Sequence, residues 1–164
     1  MCDECGYIQY DNPKIVVGAV AAREGRILLC RRAIEPRSGY WTIPAGYLEL
    51  NESSEQGALR EAREEACAEL CLNGLLAVYN ILRISQVQLI YRAELLSAEI
   101  AAGEESAEVG LFAPADIPWH DLAFPSVRWA LTQYAEIKDK TNFTPFTNPD
   151  GETGDYKPNT TTGV

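Results

Sequence analysis

Histidine is nearly missing from this sequence: His120 stands alone among 164 residues. A metal site rich in imidazole cannot be built within one such chain, and no Gly-x-Ser-x-Gly elbow presents a serine nucleophile. Any chemistry therefore falls to carboxylates. Cysteines number five, at positions 2, 5, 30, 67 and 71. That odd, sparse set is unlike the dense framework of a small secreted domain and points to a reducing compartment. No apolar run approaches the roughly 20 residues that span a bilayer, and polar Cys2, Asp3 and Glu4 follow Met1 where a signal sequence would turn apolar. The expectation is a cytoplasmic protein with no membrane partner, or an organellar one if a targeting segment precedes Met1. Basic residues are scarce too, 14 against 24 acidic for a net charge of -10. That balance runs against unassisted attraction to nucleic acid. An anionic substrate would need a bridging cation.

What is present is 46% hydrophobic, enough for one domain with a sizeable core and too short for two. Residues 14–22 and 26–32, apolar and rich in β-branched side chains, flank Glu24-Gly25 and predict a two-strand hairpin. Residues 33–50 are punctuated by Pro36, Gly39, Pro44 and Gly46 and carry Tyr40 and Trp41, which reads as a loop of the ligand-contacting kind. The strongest helix pattern covers 52–70, with Asn51 as its expected cap and Asn73-Gly74 as its stop. Strands are expected at 75–84, 87–95 and 108–112, and a second helix at 124–137 with Pro125 in its first turn. Beyond Lys138 the chain is dominated by Thr, Asn, Pro, Gly and Asp, so 138–164 reads as a flexible tail. Strands on both sides of one long helix give an α/β (α+β) fold with a central mixed β-sheet.

At 100° per residue, Leu59, Ala62, Ala66 and Leu70 fall on one stripe of the first helix, the expected buried face. Glu61, Glu64 and Glu65 then project from the other side, held in one wedge by their spacing of three and four residues. Such a run is ordinarily a solvated acidic face. Its alternative is a site for a hard divalent cation such as Mg²⁺ or Mn²⁺, which takes oxygen ligands and cancels the mutual repulsion. Arg60 stands beside the cluster, within reach of Glu52 or Glu64.

Gly46, then Glu52 after five intervening residues, then Arg60-Glu61-Ala62-Arg63-Glu64-Glu65 after seven more, resembles the Nudix box. The glycine that normally follows is Cys67, which leaves a left-handed turn at the helix end without its usual residue. Trp41-Thr42-Ile43-Pro44-Ala45-Gly46 is similar to the family's lead-in loop. The resemblance covers 8–137 and implies an α/β/α sandwich that hydrolyses a nucleoside diphosphate linked to another group X. It also implies roles. Glu61 and Glu65 match the metal-binding glutamates, Glu64 a further ligand or the base that activates water, and Arg60 with Glu52 the supporting ion pair. Ala45 matches a position whose backbone carbonyl binds metal in some members. Glu105 is the candidate for a glutamate outside the box, with Glu108 as its fallback.

Cys2-Asp3-Glu4-Cys5-Gly6 resembles the second half of the zinc ribbon that precedes certain Nudix domains, so 1–13 reads as a remnant of that segment and 14–137 as the hydrolase domain. Two thiols are half of a tetrahedral Zn²⁺ site, and the other ligands would have to come from upstream or from another chain. The Ser-Gln-Pro-Trp-Pro-Phe-Pro array of NADH pyrophosphatases is absent. Ile84-Ser85-Gln86-Val87 and Ile117-Pro118-Trp119 are instead similar to the ADP-ribose and FAD pyrophosphatases of bacteria and plastids. The implied reaction is Mg²⁺-dependent cleavage of ADP-ribose or FAD to AMP plus ribose 5-phosphate or FMN. NADH or damaged nucleoside triphosphates would use the same metal site, and a non-catalytic nucleotide sensor is the rival from another class. Arg32 and Arg37 are candidates for phosphate contacts, and Tyr40, Trp41 and Tyr47, beside Gly46, for stacking on a base. The expected partner is a nucleotide-sugar or dinucleotide, and related enzymes commonly form homodimers that share a pocket.

Overall fold

Lys14–Arg23 (β1) has almost no polar side chain in its middle, and it forms the centre of the sheet. Val17, Ala19 and Ala21 enter one apolar cluster while Val20 and Ala22 enter another, as a strand covered on both faces requires. The computed structural model describes residues 1–156. After β1 come β2 (Arg26–Arg32), β3 (Trp41–Thr42), β4 (Ala45–Tyr47), α1 (Ser54–Ala66), β5 (Leu70–Ile81), β6 (Gln86–Leu95), β7 (Ser106–Phe112) and α2 (Pro125–Ile137). The sheet runs β3-β2-β1-β6-β5, with β4 added on β1 and β7 on β2. β1 and β6 are parallel from Lys14 beside Gln86 to Ala22 beside Glu94, and the other pairs are antiparallel, so the sheet is mixed. Ala58, Ala62 and Ala66 of α1 pack on one face and Val127, Ala130 and Leu131 of α2 on the other, giving the sandwich.

Several boundaries differ from the sequence expectation. Ser53, not Asn51, caps α1: its hydroxyl accepts from the Gln56 N–H while the Gln56 side chain accepts from the Ser53 N–H. Asn51 instead takes a left-handed φ of 66° and keeps Glu52 outside the helix. At the other end α1 stops at Ala66, because Cys67 itself adopts φ 50°, ψ 32° and makes the left-handed turn in place of glycine. Leu70 therefore opens β5, which runs on through Asn73-Gly74 with two register shifts where a stop was expected. β3 and β4 are short strands inside the segment read as loop.

The segment read as a flexible tail is packed as far as Tyr156; residues 157–164 lie outside the described residues. Phe146 lies parallel to β5 at Ala77, donating its N–H to the Leu76 carbonyl at 2.8 Å and accepting from the Val78 N–H at 2.9 Å. The Asn148 side-chain amide continues this ladder with Asn80, one bond each way at 2.9 Å. Phe143 and Phe146 join the core cluster on the α2 side. Composition hides this docking because two phenylalanines and one asparagine accomplish it.

Candidate active site

The face of α1 that meets the sheet carries Ala58, Ala62 and Ala66, and also Glu61 and Glu65, which are 7% and 6% exposed. The expected arrangement of three glutamates on the solvent side is thus corrected: Glu64 points outward, and the other two point in. Charged residues are so rarely buried that periodicity alone assigns them to the surface. Leu59 is only half-buried, and Leu70 has left the helix.

The two buried carboxylates are fixed by different partners. Glu65 Oε2 accepts from the Ala45 N–H at 3.0 Å, and Glu61 Oε1 accepts from Arg60 Nη1 at 2.8 Å. A Cβ at Gly46 would overlap the Glu61 carboxylate, so Glu61 keeps this position only beside a glycine. Arg60 organises the rest. Its Nε and Nη2 grip both oxygens of Glu52 at 3.0 and 2.8 Å, Nη1 also donates to Glu64 Oε2 at 3.1 Å, and Nη2 reaches the Tyr47 carbonyl at 3.0 Å. The two-pronged grip of Arg60 holds the Glu52 carboxyl far down, at about 2, with the Glu49 N–H assisting.

Burial pushes the Glu65 carboxyl up to about 8 against the pull of the Ala45 N–H, and the charges of Glu61 and Glu105 add to the rise. Arg32 is the positive charge that opposes it. Burial also raises Glu61, with Arg60 pulling it down and Glu64 and Glu105 pushing it up. Four carboxylates therefore feel one another across one small region. Glu105 is brought there from beyond β6, because its loop is tied to the last turn of α1: the Ala101 N–H caps the Ala66 carbonyl at 3.0 Å and the Gly103 N–H caps that of Glu65 at 3.1 Å. Glu108 pairs with Arg31 at 3.6 Å instead. As arranged, Arg60 occupies Glu61 and Glu64, and among the described residues no three acidic, thiol or imidazole groups close on one ion-sized point. The donor chemistry nevertheless fits a hard divalent cation, since every converging group offers carboxylate oxygen and their repulsion is what such an ion relieves.

These carboxylates line a cleft of about 660 Å³. Arg32, Ala45, Gly46 and Tyr47 also line it. Arg32 donates from Nε to the Pro36 carbonyl at 2.8 Å, and its guanidinium lies 5.3 Å from the centre of the Phe124 ring. Trp41 and Arg37 stand outside the lining. Trp41 packs edge-on against Phe112 at 4.9 Å within the core, and Arg37 donates to the Ala123 carbonyl and lies 3.7 Å over Tyr40. Both side chains make contacts within the protein and neither lines the cleft. The sequence reading missed Phe124 and Tyr156, both of which line the cleft. Phe124 was legible only as a helix start, and nothing in the local pattern singles out Tyr156.

Cys2 and Cys5 are exposed in a turn closed by the Gly6 N–H on the Cys2 carbonyl at 2.9 Å. Backbone N–H groups of Cys5 and Glu4 hold the Cys2 thiol below its ordinary value. Among the described residues no third ligand joins them, so the pair supplies two of the four donors zinc takes.

Residues 12–134 match the NUDIX domain. An ADP-ribose pyrophosphatase of Methanocaldococcus jannaschii is 27% identical over 122 residues, covering 72% of this chain and 71% of that protein. The NAD-capped RNA hydrolase NudC of Pseudomonas aeruginosa is 32% identical over 125 residues, 74% of this chain but 41% of its own length. The crystal structure of a NUDIX hydrolase from Nitrosomonas europaea superposes with a TM-score of 0.85 at 42% identity, covering 90% of this chain and 84% of that one. With the box glutamates gathered in one cleft and the domain matched over most of its length, the chain belongs to the Nudix hydrolase family.

Proposed function

We propose that this protein hydrolyses the diphosphate bridge of ADP-ribose, with a divalent cation, to AMP and ribose 5-phosphate. The observation that carries the reading is the pair of buried glutamates, Glu61 and Glu65, lining a cleft that also holds Arg32 and aromatic rings. Two acidic side chains kept from water are costly in a protein with no use for them, and a cation shared with a diphosphate gives them one. ADP-ribose leads among substrates because a relative matched over 72% of this chain and 71% of its own is named for it.

Glu61 and Glu65 would hold Mg²⁺ or Mn²⁺, with Glu105 and the Ala45 carbonyl completing the set. When bound, the cation neutralises the bridging phosphates and acidifies water beside them. Arg32 supplies a fixed positive charge for phosphate oxygens. Glu64, the exposed member of the cluster, accepts the proton of the attacking water. The new bond joins that oxygen to phosphorus, and the phosphorus–oxygen bond of the bridge breaks on the opposite side. Arg60 keeps Glu61 and Glu64 aligned, and Glu52 keeps Arg60 in place.

FAD and NADH present the same bridge, and the glutamates do not distinguish among them. The test is chromatographic product analysis after incubation with Mg²⁺ and, separately, ADP-ribose, FAD, NADH and nucleoside triphosphates, with Glu65→Gln alongside. AMP and ribose 5-phosphate from ADP-ribose, lost in the variant, is the expected result. FMN from FAD alone would reassign the substrate, and tight binding without cleavage of any of them would make the protein a sensor.

A further inference from the structure

Past the residues that match the NUDIX domain, the chain returns to the cleft. Gly154 and Tyr156 line it, and the Tyr156 ring meets that of Phe124 edge-on at 6.0 Å. The segment is built to deliver that ring. Asn148 clamps it to Asn80, Arg83 Nε donates to Asp155 Oδ1 at 2.8 Å, and Thr153 Oγ1 donates to Asp155 Oδ2 at 3.1 Å. Between these anchors Gly154 takes φ +79° against Ile81 and Trp129, where a Cβ would overlap Ile81, so the turn toward the cleft requires glycine. The Arg37 guanidinium, 5.2 Å from the Tyr156 ring centre, braces the ring from a second direction.

Arg32 joins this aromatic wall to the carboxylates. Its guanidinium lies against Phe124, and its charge is felt at Glu65. A diphosphate held between the carboxylates and Arg32 would direct one end of the substrate onto Phe124 and Tyr156. The end suited to such a wall is a flat ring. We infer that Tyr156 is a specificity-determining residue: the segment following α2 supplies, with Phe124, the surface on which the nucleobase of a nucleoside diphosphate substrate stacks. This rests on the diphosphatase reading above.

The test compares ADP-ribose cleavage by the wild type, Tyr156→Phe and Tyr156→Ala. Stacking of one base on an aromatic side chain predicts a KM about tenfold higher in Tyr156→Ala, or more, with kcat near wild type. Tyr156→Phe keeps the ring and should keep KM. An unchanged KM in Tyr156→Ala overturns the inference while leaving the reaction standing. A wild type that leaves ADP-ribose uncut removes the reaction instead, and AMP binding followed by NMR titration then decides the matter. Binding weakened about tenfold in Tyr156→Ala upholds the aromatic wall. Equal binding, or none by the wild type, overturns it.

Discussion

The Glu61 carboxylate presses against the side of Gly46 on which a Cβ would stand. One residue belongs to β4 and the other to α1, so the contact is made only when helix and sheet are docked. The spacing of the box glycine and its glutamates thus has a steric content. The strand must come close enough for the Ala45 N–H to hold Glu65, and at that distance a side chain on its next residue would displace the Glu61 carboxylate.

Gly46→Ala is therefore expected to push Glu61 aside at small cost in stability, because the obstructing atoms are the free end of a side chain. If Glu61 holds the cation as proposed, its displacement should lower kcat/KM for ADP-ribose about 100-fold, with Tm shifted by less than about 4 °C. Steady-state kinetics and thermal unfolding on the same preparation check both halves.

Glu65 makes stability depend on pH. Its carboxyl titrates at about 8 in the fold against an ordinary 4.5. Between those values the folded protein holds a proton that the unfolded chain has released, so the cation-free protein should lose stability as pH rises from 4.5 to about 8. Glu65→Gln should flatten that slope. Mg²⁺ should stabilise the wild type most near and above pH 8, where the carboxylate is ionised. Denaturant midpoints measured across this range, with EDTA and with Mg²⁺, would expose a wrong assignment as a flat wild-type profile.

Arg60 spans Glu52, Glu61, Glu64 and the Tyr47 carbonyl at once. Lysine offers a single point charge and cannot make that set of bonds. Arg60→Lys should lower Tm by roughly 5 °C and activity by more than about tenfold. Arg60→Ala should fall further, since Glu61 is then buried without a cation, and Mg²⁺ should recover part of its Tm. Scanning calorimetry with and without Mg²⁺ reads out both.

Cys67 lies outside the cleft lining and sits in the left-handed region at the end of α1. A side chain there costs about 1 kcal/mol, and the greater freedom of glycine in the unfolded chain cancels roughly half of that gain. Cys67→Gly should stabilise the protein by about 0.5 kcal/mol, measured by urea unfolding, and Cys67→Ala should not.

The box was legible in the sequence because its spacing records contacts: Glu61 and Glu65 are one turn apart, and Arg60 and Glu52 are paired across the helix start. The hairpin was legible from two apolar, β-branched runs flanking Glu24-Gly25, and the second helix from apolar periodicity. The cap was misassigned because Asn51 and Ser53 are both capping types, and only the reciprocal Ser53–Gln56 pair separates them. The burial of Glu61 and Glu65 was not legible in periodicity, which sends charge outward. Tyr156 was least legible of all. Its place depends on the free side of β5, on Gly154 fitting beside Trp129, and on Arg83 meeting Asp155, none of which leaves a local mark.

β5 is the strand at one end of the main sheet path. Exposed strand edges recruit strands from other molecules and so seed aggregation. Here the Leu76 carbonyl, the Val78 N–H and both backbone groups of Asn80 are taken by Phe146 and by the amide of Asn148. An asparagine side chain thereby completes a ladder that would otherwise accept a neighbour, and the same stretch that carries Tyr156 to the cleft also covers the Leu76–Asn80 edge of the sheet. A chain ending before Phe143 should scatter light at concentrations where the full chain stays monodisperse.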